Sequence, residues 1–302
     1  MTIQFFSPSL IDEPYLADAI FTPYRSLLTN ANPDVVSFVE TEKRRVIALI
    51  LALTREPALL FLHVTPMHRR KGVGQRLLAA LEAELAMRSC RYLDVAWARD
   101  RSGGEGFAAF LQEQGWPSPK PHMILYGADT QRLVDASWMQ AFDILPTGHA
   151  IVPWSDLKPE QLVKLRQAIR FESWVPVELV PFNFLGNRVD GSPPEKKFNL
   201  AYVVWGNVVG WNFAHRVDAQ TVRVSCTFVH PSLQQQLCML ALWREIFNRL
   251  TASDYRHIHW VVSVERESMV NLNDKSMLPY LSMRSEILRS RKFLSGKPDV
   301  NQ

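Results

Sequence analysis

Cysteine is scarce in this 302-residue chain, which carries only Cys90, Cys226 and Cys238. An odd number without C-x-x-C spacing excludes a disulfide framework and a zinc knuckle, and the expected compartment is the reducing cytoplasm. No stretch approaches 18 uninterrupted apolar residues, and the opening MTIQFFSPSLIDEP lacks a cationic segment followed by an apolar one. Neither membrane spanning nor secretion is therefore expected. Charge imbalance is slight, at a formal net +4. Basic residues are scattered apart from clusters at Arg69–Lys71 and Arg289–Lys292, so nucleic acid is not the expected partner. There is no Walker A pattern, and GVGQRL is not the G-x-G-x-x-G of dinucleotide folds. With 47% hydrophobic and 21% charged residues the chain can bury a large core, and its length fits two domains better than one.

The most informative stretch is Val64 to Leu78, VTPMHRRKGVGQRLL. An apolar run, Leu59 to Val64, reads as a strand and meets Pro66, then Arg69, Arg70 and Lys71, then Gly72 and Gly74. Leu77, Leu78, Leu81 and Leu85 follow at helical spacing. Strand, basic glycine turn and helix make an anion seat: glycines allow close backbone approach, and the first helical N–H groups lack internal acceptors. Cationic side chains and the helix dipole add attraction, so the expected ligand carries a pyrophosphate.

Around this stretch the patterning alternates strand and helix. Strands are expected at Ile3–Phe6, Val35–Val39, Val46–Leu53, Leu59–Val64, Arg91–Ala98 and Met123–Tyr126, with helices at Tyr15–Leu28, from the glycine turn to Arg88, and at Phe107–Gln114. Residues 1–127 thus read as one α+β domain and 128–149 as a connecting segment. From 150 to 302 the pattern begins again, with a hairpin near Gly206 and Asn207, a strand Val222–Val229 and a helix Leu237–Leu250. Val64 and Val229 stand 165 residues apart, and at this offset Pro66 meets Pro231, Leu77 meets Leu242, and RYLDVAWARD meets RHIHWVVSVE without a gap. Arg69 meets Gln234, but Gly72 and Gly74 meet Leu237 and Met239, so the second copy is expected to lack the anion seat.

The pattern V-x-P-x-x-[QR]-x-x-G-x-[GA], met by Val64, Pro66, Arg69, Gly72 and Gly74, resembles that of the GNAT (Gcn5-related) N-acyltransferases, some of which are tandem. The resemblance implies two GNAT-like domains, each a twisted mixed sheet flanked by helices, and acyl-coenzyme A as co-substrate. Its pyrophosphate would lie on the Arg69, Arg70, Lys71, Gly72, Val73, Gly74 and Gln75 backbone, with pantetheine beside Leu62, His63 and Val64. The implied reaction is direct attack of an amine, on a small metabolite or peptide, on the thioester. Within Leu93-Asp94-Val95, which looks like the L-E-V strand of the ribosomal-protein branch, Asp94 is the first candidate base; His63 is the second. The family's tyrosine acid is replaced by Leu111, and its usual asparagine is also missing.

Other residues carry weaker readings. His257 and His259 share a strand face, with His230 expected on the neighbouring strand, but without a clustered carboxylate or cysteine no metal is expected. His259 stands where Asp94 does at the repeat offset, which makes it a candidate substrate contact. The insertion at 172–198 has no counterpart in the first copy and is rich in apolar residues, including Trp174, Phe182 and Phe184. It is expected either to pack between the copies or to line a pocket for a long acyl chain or a peptide. Fatty acylation of a peptide amine, a non-catalytic coenzyme A sensor or scaffold, and a nucleic-acid binder remain alternatives.

Overall fold

The computed structural model describes residues 2–11, 20, 22–29, 32–43, 45–136, 144–188, 190–234 and 238–294. Among these the strands are β1 Thr2–Phe5, β2 Val35–Glu42, β3 Arg45–Leu53, β4 Ala58–Val64, β5 Tyr92–Ala98, β6 Lys120–Asp129, β7 His149–Pro153, β8 Leu200–Val204, β9 Asn207–Arg216, β10 Thr221–Val229, β11 His257–Ser263 and β12 Leu281–Phe293. The α-helices are α1 Thr22–Thr29, α2 Val73–Met87, α3 Gly104–Glu113, α4 Thr130–Val134, α5 Pro159–Glu172, α6 Pro231–Gln234, α7 Cys238–Thr251 and α8 Glu267–Leu272. The chain divides into two compact units, Met1–Met123 with Val189–Gly191 and Ser285–Gln302, and Ile124–Arg188 with Ser192–Arg284.

In the first unit the strand order is β1-β2-β3-β4-β5-β12. Neighbours from β1 to β4 are antiparallel, β4 and β5 are parallel, and β12 returns antiparallel to β5. Strand β3 is buried at every position from Val46 to Leu53 because both of its faces are covered. On one face α2 lays down Leu77, Leu78, Leu81 and Leu85, all nearly inaccessible, each contributing about 2 kcal/mol of burial. On the other, Leu28 of α1 packs over Val39, Leu49 and Leu51. Part of the expected Tyr15–Leu28 helix lies outside the described residues.

The second unit has the order β7-β8-β9-β10-β11-β6, again antiparallel up to β10 and parallel between β10 and β11. Leu242, Ile246 and Leu250 of α7 cover one face. The opposite face is covered by Leu165 of α5 together with the insertion.

Two boundaries differ from the sequence reading. The first unit ends at Met123, and β6 runs on past 127 into the expected connecting segment. More consequentially, the segment from Ser285 belongs to the first unit, where Ile287–Phe293 of β12 pair antiparallel with β5. The cluster Arg289–Lys292, read as basic surface, is in fact strand, and its alternation is masked because both charged and apolar side chains line it.

Candidate functional site

The turn between β4 and α2 is built from local backbone rules. Thr65 N–H donates to Ile47 O at 3.0 Å, closing the β3–β4 ladder, and Pro66–His68 forms a single 3-10 turn. Arg70 and Gly72 then take left-handed conformations, with φ of 59° and 75°. Two such residues bend the chain sharply just before α2, the kind of turn from which an anion nest of successive N–H groups is built. The first helical bond of α2 runs from Arg76 N–H to Gly72 O at 3.1 Å, so the N–H groups of Val73, Gly74 and Gln75 have no acceptor within the helix. Arg69, Arg70 and Lys71 are exposed around them. A Cβ on Gly74 would lie 3.6 Å from the Phe110 ring and 3.8 Å from Val64 Cγ2, which leaves no space for a longer side chain.

Beside this turn the sheet opens. The β3–β4 register shifts between Leu51↔Phe61 and Ala52↔Leu59, a bulge at Leu60, and parallel pairing of β4 with β5 ends at Leu59↔Val95. Beyond the bulge β4 has no further ladder partner on that side among the described residues. Since Thr65 bonds to β3, the period of two turns the main chain of Leu62 and Val64 away from β3 and into the opening. Arg69 Nε donates to Val64 O at 3.0 Å, fixing the mouth of this cleft beside the anion nest. A groove with free strand main chain, ending at a nest of amide donors, suits an extended polar arm joined to a pyrophosphate.

The two base candidates have opposite surroundings. His63 is half-buried and its ring lies 6.1 Å from that of Phe61. Burial, reinforced by the nearby Arg69 charge, pushes its pKa below the ordinary histidine value, so the ring is neutral at neutral pH and can accept a proton. Asp94 lies at the closed end of the cleft, level with Ala58. Arg291 grips it through Nε and Nη2 at 2.6 and 2.8 Å, and Arg289 adds a further ion pair. Burial alone would raise its pKa, but these bonds hold the carboxyl below the usual range. A carboxylate so held is a weak proton acceptor. Leu111, where the resembled family has its tyrosine, is buried in the core.

The profile of the Acetyltransferase (GNAT) family matches residues 4–115. The first unit is a GNAT-family domain. A sequence search among curated proteins finds no match. Among solved structures, a tandem GNAT protein from the clavulanic acid biosynthesis pathway is similar over 91% of this chain and 88% of its own, with 18% identity and a TM-score of 0.61. A GCN5-related N-acetyltransferase from Sphaerobacter thermophilus is similar over 99% and 97%, with 14% identity and a TM-score of 0.63. A glucosamine N-acetyltransferase region of a fungal multi-domain β-N-acetylglucosaminidase is similar over 96% of this chain and 38% of that one, at 13% identity and a TM-score of 0.66. At these identities the likeness is one of fold: two GNAT-like units in tandem.

The second GNAT-like unit repeats the cleft's framework. Its bulge falls at Ser225, and parallel pairing of β10 with β11 ends at Val224↔Trp260, both displaced by 165 residues from Leu60 and Leu59↔Val95. Gln234 Nε2 donates to Val229 O at 3.1 Å, the counterpart of Arg69 and Val64. Leu237 lies outside the described residues. Met239 is packed against the core where Gly74 stands in the GNAT domain.

The remaining sequence candidates lie within this second unit. His259 pairs across the ladder with Arg223, and its pKa is lowered by burial and by His257; its ring packs where a Cβ on Gly127 would come within 3.0 Å. His230 bonds to Ser232 at 2.8 Å and packs 4.6 Å from the Trp174 ring. Among the described residues no three side chains of the metal-binding types cluster. Trp174 packs on Phe228 and Trp211, Phe182 lies beneath the Arg166 guanidinium at 3.7 Å, and Phe184 stacks 6.0 Å from Phe213. These aromatic residues of the insertion thus pack within the core of the second unit.

Sequence reasoning missed three residues of the GNAT domain. Glu40 of β2 is fully buried and ion-paired to Arg76 of α2. A carboxylate in a strand and an arginine in an amphipathic helix carry no motif, and only the fold joins them. Trp97 of β5, past the last residue paired with β4, has a buried Nε1 with no hydrogen-bond partner among the described residues.

Proposed function

We propose that the chain is an N-acyltransferase that moves an acetyl group from acetyl-coenzyme A to a primary amine on a small metabolite or peptide. The observation that carries this reading is the continuity of the open β4 edge, Leu62 to Val64, with the nest formed by Arg69 to Gln75. In this reading the nest holds the pyrophosphate, the β4 main chain holds the pantetheine arm, and the Val64 N–H polarises the thioester carbonyl. The amine nitrogen attacks the carbonyl carbon, the C–S bond breaks, and the amine proton passes to neutral His63. Coenzyme A leaves as a thiolate, whose ordinary pKa near 8.5 lets it depart without a dedicated acid. This accommodates the buried Leu111 in the place of the family's tyrosine. His63, rather than Asp94, takes the role of base because it is neutral and half-buried while Asp94 is held by two arginines. The aromatic insertion is engaged in packing, so acetyl is favoured over a fatty acyl group. A coenzyme A sensor is the second reading, favoured by the absent acid alone.

Thiol release with an amine panel tests the proposal. His63→Gln is expected to lower turnover by about 10²–10⁴-fold while leaving coenzyme A affinity unchanged. The acid limb of kcat/KM is expected below the ordinary histidine pKa of 6.5, since the neutral ring is the active form and burial lowers its pKa. Tight coenzyme A binding with no thiol release from any amine would favour the sensor, and an unaltered His63→Gln rate would remove His63 from the mechanism.

A further inference from the structure

The ion pair of buried Glu40 with Arg76 joins the turn before α2 to the interior of the sheet. Glu40 is 0% exposed, whereas the Arg76 side chain is 42% exposed. The guanidinium donates from Nε to Glu40 Oε2 at 3.3 Å and from Nη2 to Oε1, and its Nη1 donates to Lys71 O at 3.3 Å. It therefore spans from a strand of the core to the carbonyl that precedes Gly72. A Cβ on Gly72 would lie 3.3 Å from Nη1, so the arginine lies against the backbone of the nest.

The second unit supplies a control. Glu40 pairs with Ala48 and Ala48 with Val64; along the other ladder Val229 pairs with Gly210 and Gly210 with Tyr202. Tyr202 therefore stands in the place of Glu40, and both positions are followed by a register shift, at Glu40/Thr41 and Tyr202/Val203. At the 165-residue offset Arg76 meets Ala241. The unit without the glycines is also without the clamp, although its helix and sheet pack as well.

We propose that Glu40 and Arg76 are positioning residues that hold the Lys71–Gly72 backbone in its anion-binding shape. Arg76 acts through the Lys71 carbonyl rather than as a phosphate ligand, because its charge is already matched by Glu40. This rests on the acyl-coenzyme A reading of the same nest. A charge on a fully buried carboxylate is retained only where its hydrogen bonds are satisfied. Arg76 satisfies it, and the fork of the guanidinium transmits that fixed position to the loop.

The two roles for Arg76 predict opposite signs. If charge attraction dominated, Glu40→Gln would release a cation beside the nest and tighten anion binding. If positioning dominates, Glu40→Gln weakens it despite the added positive charge. Calorimetry of the full chain with coenzyme A and with inorganic pyrophosphate is expected to show about tenfold weaker binding of both, the weight of one charge-assisted hydrogen bond. Arg76→Lys, which keeps the charge but loses the fork, should weaken both similarly. The double variant Glu40→Gln with Arg76→Gln removes the buried charge and should regain thermal stability, because both partners are now neutral, yet bind coenzyme A as weakly as Glu40→Gln. Unchanged or tighter binding by Glu40→Gln, or recovery of affinity together with stability in the double variant, would overturn the proposal. Wild-type protein that binds pyrophosphate but not coenzyme A would defeat the acyl-donor reading and leave the clamp standing; binding of neither would end both.

Discussion

The turn from Val64 to Gly74 and its counterpart from Val229 to Met239 share a framework and differ in the residues that complete it. Both follow a bulged strand that parts from its parallel neighbour at the same register. Both tie the last strand carbonyl with a side-chain donor five residues on, Arg69 in one and Gln234 in the other. In one unit the turn then uses Gly72 at φ 75° and Gly74 against Phe110; in the other Met239 joins the core. The strand opening therefore belongs to the packing of the fold, since it recurs where Met239 stands in place of Gly74. In our proposal the anion seat is a separate feature, added by two glycines and by the pairing of buried Glu40 with Arg76.

Transplanting residues between the two turns is the strongest way to break this comparison. Gly74→Met in the GNAT domain puts a long side chain where Phe110 and Val64 leave only van der Waals clearance. It is expected to weaken coenzyme A binding by about 100-fold or more, the scale of an ångström's misplacement in a preorganised site. Gly72→Leu should act similarly, because a side chain at φ 75° costs about 1–2 kcal/mol and shifts the first helical turn. Met239→Gly is expected to create no affinity, since the second unit lacks a clamp and three adjacent cations. Calorimetry on the three variants decides this, and coenzyme A binding gained by Met239→Gly would show that glycine alone makes the seat.

Most of the framework was legible because it is local. Hydrophobic periodicity located β3, β4 and α2, and the repeat offset anticipated the equivalence of Val64 with Val229 to the residue. Gly72, through its conformational freedom, and Gly74, through its missing side chain, signalled the turn because both are properties of the residue itself. The ion pairs of Asp94 were not legible, since its partners Arg289 and Arg291 are nearly two hundred residues away and reach it only through β12. That strand was hidden by its charged positions, which match no simple alternation. Glu40 and Arg76 were invisible for the same reason: neither is unusual in its own stretch, and only the packing of α2 against β2 makes one buried carboxylate answer to one arginine.

Asp94 and His259 occupy equivalent places, so their replacement sharpens the contrast at intermediate size. Asp94→Asn should leave turnover near the wild-type rate if His63 is the base. It should cost about 1–2 kcal/mol in urea denaturation at neutral pH, between the values of exposed and fully buried pairs, because the side chains are partly exposed. The folded-state pKa of Asp94 is depressed, so this contribution is complete above the ordinary value of 3.8 and is lost as pH falls through the lower folded value. The wild type and the variant should thus converge in stability in acid. A loss of turnover by orders of magnitude, with stability intact, would return Asp94 to the chemistry.

The smallest effect is expected where the two units differ in a single hydrogen bond. Trp260 of β11 donates from Nε1 to Asn273 Oδ1 at 2.8 Å, whereas Trp97 of β5 has no such partner among the described residues. Trp260→Phe would strand the buried Asn273 and should cost about 2–3 kcal/mol, combining lost packing with an unsatisfied acceptor. Trp97→Phe loses similar packing but also removes an unpaired buried donor, itself worth about 1–3 kcal/mol of destabilisation. The two terms offset, so the variant should lie within about 1 kcal/mol of wild type in the same urea titration. If Trp97→Phe instead proves as costly as Trp260→Phe, the indole N–H has a partner in solution. A nitrogen-15 spectrum of its indole signal with and without coenzyme A would then show whether that partner is water or the ligand in the cleft.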